Sequence, residues 1–170
     1  MTLGKKLAKK ITRWRENSDQ TASPAKGGTT WRQDEPRLGV TAQVIVPDSD
    51  KYSFVVREIA VSFDSGLHDS EALRKQAEEL LKRVAYLPER LALIELDDGR
   101  QIAQVRSQPP STEGEHVHYF ELLLQQGRTI TMRRYKGKAA SRKQENFILP
   151  VDSFIRVIDD LAAVRPEEKV

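Results

Sequence analysis

The sequence contains no cysteine. That excludes disulfides, thiolate metal centres and cysteine nucleophiles together, and it fits a reducing compartment. No apolar run approaches the roughly 18 residues needed to cross a bilayer. The first 17 residues carry charge throughout and lack the apolar centre of a secretory signal. The expected compartment is therefore the cytoplasm, or an organelle stroma or matrix.

Catalytic constellations are missing as well. Gly27-Gly28 follows no strand and makes no phosphate loop. His116 and His118 are spaced to share one strand face, with Glu113 and Glu115 close by, yet no third metal ligand is evident. His68 stands near Asp64 and Asp69 but has no partnered nucleophile, and Asp69 serves better as a helix cap. Asp97-Asp98 falls in a turn and Asp159-Asp160 on the solvent side of a helix. No metal, cofactor or enzymatic reaction is expected.

What is present is segregated charge. The formal net charge is only +3, but residues 1–17 hold Lys5, Lys6, Lys9, Lys10, Arg13 and Arg15 against the single Glu16. Arg128, Arg133, Arg134, Lys136, Lys138, Arg142 and Lys143 form an acid-free run. The remainder is net acidic. Seven cations in sixteen residues repel one another unless an anion arrives, so an anionic partner is expected.

Residues 1–17 read as a basic amphipathic arm. Leu3, Leu7, Ile11 and Trp14 share one face of a helix, and the cations fill the other. A helix this short orders only against a partner, which would be a membrane surface, nucleic acid or protein. Residues 18–37 are rich in Ser, Thr, Gly, Pro and Gln and read as a flexible linker in which Trp31 is the one feature suited to docking.

A single domain is expected over residues 38–165, with a polar tail at 166–170. Val40–Val46 and Tyr52–Phe63 read as a hairpin around Pro47-Asp48-Ser49-Asp50. Leu73, Ala77, Leu80, Leu81 and Val84 set the stripe of a helix from about Ser70 to Tyr86, stopped by Pro88. From about Leu91 a meander follows: Leu91–Leu96, Gln101–Ser107, Val117–Leu124, Arg128–Tyr135 and Glu145–Leu149. The joins after Leu96 and after Leu124 carry Gly99 and Gly127, where tight hairpins favour positive φ. Phe154, Ile155, Ile158, Leu161 and Ala162 stripe a closing helix with Asp152 at its start. The expected fold class is α+β, an antiparallel β-meander with helices packed on one face.

The sheet's other face is then open. Alternation turns Ile130 and Met132 inward with Phe120, Leu122 and Leu124, and turns Thr129, Thr131, Arg133, Tyr135, Tyr119 and Glu121 outward. Gln101–Ser107 fits either orientation. Cations that follow phosphates, beside rings that stack on unpaired bases, suit single-stranded nucleic acid. The expected contacts are Arg128, Arg133, Arg134, Lys136, Lys138, Arg142 and Lys143 to phosphates, with Tyr119 and Tyr135 stacking.

The run His118-Tyr119-Phe120-Glu121-Leu122-Leu123-Leu124-Gln125-Gln126-Gly127-Arg128-Thr129-Ile130-Thr131-Met132-Arg133-Arg134, continued by Asn146-Phe147-Ile148-Leu149-Pro150-Val151-Asp152-Ser153-Phe154, resembles the Pur-alpha-like and Whirly-like single-stranded nucleic-acid binders. The resemblance covers about residues 101–164 and rests on element order and residue character. It implies a four-strand meander followed by a helix, DNA or RNA binding, and often a homodimer. The leading expectation is a non-enzymatic single-stranded nucleic-acid-binding module. The alternative is an assembly factor or scaffold, tethered at a membrane surface by residues 1–17 and bound to a protein partner. A third is a subunit whose basic hairpin meets an acidic protein surface.

Overall fold

The structure, a computed structural model, describes residues 1–17, 28–66 and 69–166. Residues 18–27 of the expected linker, His68 and residues 167–170 of the expected tail lie outside the described residues. The fold is α+β, a large antiparallel sheet with three helices.

Helix α1 (Leu3–Asn17) comes first. Strands β1 (Thr29–Glu35) and β2 (Val40–Val46) pair as a hairpin through a 3-10 turn at Pro36–Leu38. Gly39 closes that turn at φ 62, a left-handed backbone that glycine adopts without steric cost. Then come β3 (Asp48–Ser49), β4 (Ser53–Val56), β5 (Glu58–Phe63) and helix α2 (Ser70–Arg83). The rest is β6 (Leu91–Asp97), β7 (Ile102–Ser107), β8 (Ser111–Glu113), β9 (His116–Gln125), β10 (Thr129–Lys138), β11 (Ser141–Glu145), β12 (Phe147–Pro150) and helix α3 (Val151–Ala163).

The large sheet runs β1-β2-β5-β10-β9-β7-β6, with β11 added to β10 and β8 to β9. A small sheet has the order β12-β4-β3. Every second residue of the central strands is buried, including Ala42, Val44, Ile59, Val61, Val105, Leu122, Leu124, Ile130 and Met132. Helix α2 covers β6 and β7, and α3 packs on β2, β4, β5 and β12. Their own stripes, Leu73, Ala77 and Leu80 in α2 and Phe154, Val157, Ile158 and Leu161 in α3, complete the core. Phe54 and Phe154 meet edge to face at 4.8 Å, a preferred aromatic geometry. Asp69 caps α2 as expected, accepting from the Ala72 N–H at 2.8 Å.

Several expectations are corrected. Residues 29–35, read as linker, form the edge strand β1. Their inward positions are Thr29, Trp31, Gln33 and Glu35, each only partly exposed. One apolar residue in four leaves almost no hydrophobic alternation to detect. The expected single strand Tyr52–Phe63 is two strands in two sheets. Phe54 and Val56 are buried on even positions and Ile59, Val61 and Phe63 on odd ones. The pleat has period two, so the chain must break between them. The expected strand Glu145–Leu149 is likewise divided, with Glu145 ending β11 (Ser141–Glu145) and the rest in β12 (Phe147–Pro150). Helix α2 stops at Arg83, and in α3 Val157, not Ile155, is fully buried. At the join after β6 Gln101, not Gly99, takes positive φ, whereas the join between β9 and β10 uses Gln126 and Gly127.

Helix α1 is not a free arm. Leu3, Leu7 and Ile11 are buried, and the helix packs on α3 and β1. A Cβ on Gly4 would lie 2.4 Å from the Ile155 carbonyl oxygen, so only glycine permits this crossing. The Gly4 N–H donates to Asp159 Oδ1 at 2.8 Å. A carboxylate from α3 thereby satisfies one of the unpaired donors at the start of α1. The partner that orders this short helix is its own domain.

Candidate nucleic-acid interface

The face of the large sheet turned away from the core carries polar side chains. Val105 and Ala103 are buried, which fixes the orientation of β7 and turns Gln104 and Arg106 outward. Across β7, β9 and β10, Glu121 stands in register with Arg106 on one side and Arg133 on the other. Glu121 is only 2 % exposed although it lies on the open face. Its Oε2 accepts from Arg142 Nη1 at 2.7 Å, Arg106 Nε at 3.0 Å and Gln104 Nε2 at 3.0 Å. Burial pushes its carboxyl up, but the hydrogen bonds from Arg142 and Gln104 outweigh that, and the group is held below the usual carboxylate range.

The guanidinium groups that hold Glu121 also cover two rings. Tyr119 and Tyr135 are cross-strand partners with centroids 5.9 Å apart. Arg142 lies 3.9 Å above the Tyr135 ring and Arg106 lies 5.1 Å above that of Tyr119. Both are within cation–π range. Arg142 reaches in from β11. Its register partner is Gly137. Arg133 Nε donates to Glu58 Oε2 at 2.8 Å. Burial lowers the Arg133 pKa, and the bonds to Glu58 and Tyr135 raise it by more. Arg142 behaves likewise, with Glu121 overcoming burial.

The structure thus brings Arg133, Arg142, Tyr119 and Tyr135 together on the open face. Both tyrosines are 9 % exposed, so the surface presents the arginine planes above them rather than bare rings. Arg134 points to the opposite side, stacks on Phe120 at 4.5 Å, and pairs with Glu89 at 2.7 Å and Glu145 at 3.2 Å. Lys138 pairs with Glu115 at 2.7 Å. Lys136 and Lys143 are exposed, directly opposed across β10 and β11, and make no ion pair among the described residues. Arg128 also makes no ion pair among the described residues, and its side chain lies against Gly66.

The hairpin's expected self-repulsion is therefore largely resolved within the fold. Glu58, Glu89, Glu115, Glu121 and Glu145 come from other segments to four of its seven cations. Sequence reasoning missed Arg106, Gln104 and Glu58 as parts of the site. The available signal was Glu121 itself, one acid inside the apolar run Phe120 to Leu124. An acid there must be paired or it unfolds the strand. His118 sits between Glu145 at 2.7 Å and Glu113 at 3.4 Å.

On α1, Lys5, Lys9, Lys10, Arg13 and Arg15 are exposed. Lys6 pairs with Glu35, and Lys10 Nζ donates to the Arg32 carbonyl at 2.9 Å. Trp14 packs edge-on to Trp31 at 5.8 Å, so Trp31 does dock, as its position suggested. Among the described residues no helix is long and apolar enough to cross a membrane. No family model matches the chain, and no curated protein or solved structure matches it either.

Proposed function

We propose that this protein is a non-enzymatic binding module for single-stranded nucleic acid, DNA or RNA, held on the open face of the large sheet. One observation carries the reading. Two guanidinium groups, Arg106 and Arg142, lie over Tyr119 and Tyr135, and a single buried carboxylate binds both. A locked planar cation offers a stacking surface to an unpaired base and a donor fork to a phosphate, and little rotamer entropy remains to be lost on binding. Arg133 adds a further cation on the same face, whereas Lys136 and Lys143 alternate to the side that Arg134 takes. Arg134 and Lys138 serve the hairpin's own stability through their acid partners. The resemblance of residues 101–164 to Pur-alpha-like and Whirly-like binders points the same way. The arm's apolar face is spent on the core, which weakens the alternative of a membrane tether.

Fluorescence anisotropy with a mixed-sequence single-stranded oligonucleotide tests this. Arg106→Gln with Arg142→Gln is expected to weaken binding at least about tenfold, since stacking contributes about 1–3 kcal/mol per base. Glu121→Gln is added to the same variant so that no unpaired carboxylate is left buried, and circular dichroism checks that it is folded. Unchanged affinity in the folded variant refutes the site.

A further inference from the structure

We infer that a bound strand also runs over the β1 edge and along the outward side of α1, which acts as a second phosphate track. This rests on the open-face reading and extends it. Lys5, Lys9 and Arg13 recur every four residues, so they form one line along the helix with steps of about 6 Å. All three are exposed and make no ion pair among the described residues. The helix cannot swing away to present its apolar side, because Leu7 and Ile11 are buried and Gly4 is wedged against Ile155. What faces outward is mainly cationic, and its one large apolar residue, Trp14, is 43 % exposed and sits edge-on to Trp31 rather than forming an apolar stripe. That favours a polyanion over a lipid surface, since interfacial helices bind by burying apolar area as well as by charge.

One row of the open face leads across the sheet toward α1, and its single cation is Arg32, which is paired with Asp34 at 3.1 Å. Cross-strand register lines up Gln104, Leu123, Thr131, Ala60, Gln43 and Arg32 from β7 to β1. The row spans five strand spacings, about 24 Å. Arg32 ends it at the sheet edge, and Lys10 reaches the Arg32 carbonyl from α1. A strand crossing the open face thus meets Arg32, then Lys10, then the line of Lys9, Arg13 and Lys5. Only a strand long enough to cover both surfaces gains from α1.

The test compares oligonucleotides of about 8 and about 20 nucleotides on the full chain, across a salt series. The longer one is expected to bind tighter and with a steeper salt dependence. Lys5→Gln with Lys9→Gln and Arg13→Gln is expected to remove that advantage and lower the log–log salt slope by about 2, while binding of the short one stays the same. If the triple variant binds the long strand as the unaltered protein does, α1 is not a track, and the open-face reading stands. If the substitutions instead abolish binding to phosphatidylserine vesicles and leave the long strand unaffected, the stripe serves a membrane and the inference is overturned. If the unaltered protein binds neither length, the open-face reading falls and takes this one with it.

Discussion

Glu121 sits between Phe120 and Leu122 on β9, buried, with three side chains donating to it. Replacing its carboxylate by an amide removes the charge that holds two arginines and weakens the one oxygen that all three donors share. Glu121→Gln is expected to destabilise the fold by about 2 kcal/mol, read from the urea unfolding midpoint. The same residue gives a pH signature. Its folded pKa lies below the unfolded value of about 4.3. Its contribution is therefore present above that value and is lost as pH falls through the folded pKa. The acid limb of the stability profile should be shallower in Glu121→Gln, and an unchanged limb would contradict the pairing. This residue was half legible in the sequence. Alternation placed it outward with Tyr119. Its partners were not readable, because Arg106 and Arg142 lie 15 and 21 positions away and meet it only through strand register.

Among the elements, α1 changes most between sequence and structure. Its amphipathic stripe was readable. What the stripe faces was not, since nothing local distinguishes a lipid surface from a helix 150 residues away. Gly4 is the decisive position. In a helix interior open to solvent, Gly→Ala stabilises by about 1 kcal/mol. Here the added methyl would meet the Ile155 backbone, and Gly4→Ala is expected to cost about 1–3 kcal/mol, as overpacked interfaces do. A shift of the thermal midpoint downward supports the docked helix, and a shift upward refutes it. The strands show the same division. The meander from Leu91 was legible because period-two alternation and turn residues coincide. The break between β4 and β5 was written in the slip from even to odd buried positions. Strand β1 was hidden, because an edge strand closed by Trp31 and the Lys6–Glu35 pair carries little apolar pattern.

Over the whole molecule, charge is less concentrated than the sequence suggests. Four of the hairpin's seven cations meet acids brought by other strands and loops. Helix α1, with six cations and one acid in its segment, keeps most of its charge exposed. The positive surface is therefore divided between a preorganised arginine pair on the open face and a stripe on the docked helix. The residue types of the candidate site were visible in the sequence. The separation of paired from unpaired cations required the fold, because it depends on which strands lie side by side. The most direct measurement of the central claim is NMR mapping of a single-stranded oligonucleotide titration, following the Nε–H signals of Arg106, Arg142 and Arg133. The expected result is saturable shifts at Arg106 and Arg142, together with the amides of Tyr119 and Thr131. Binding that leaves those signals unmoved, or no binding at low salt, would contradict the assignment of the open face.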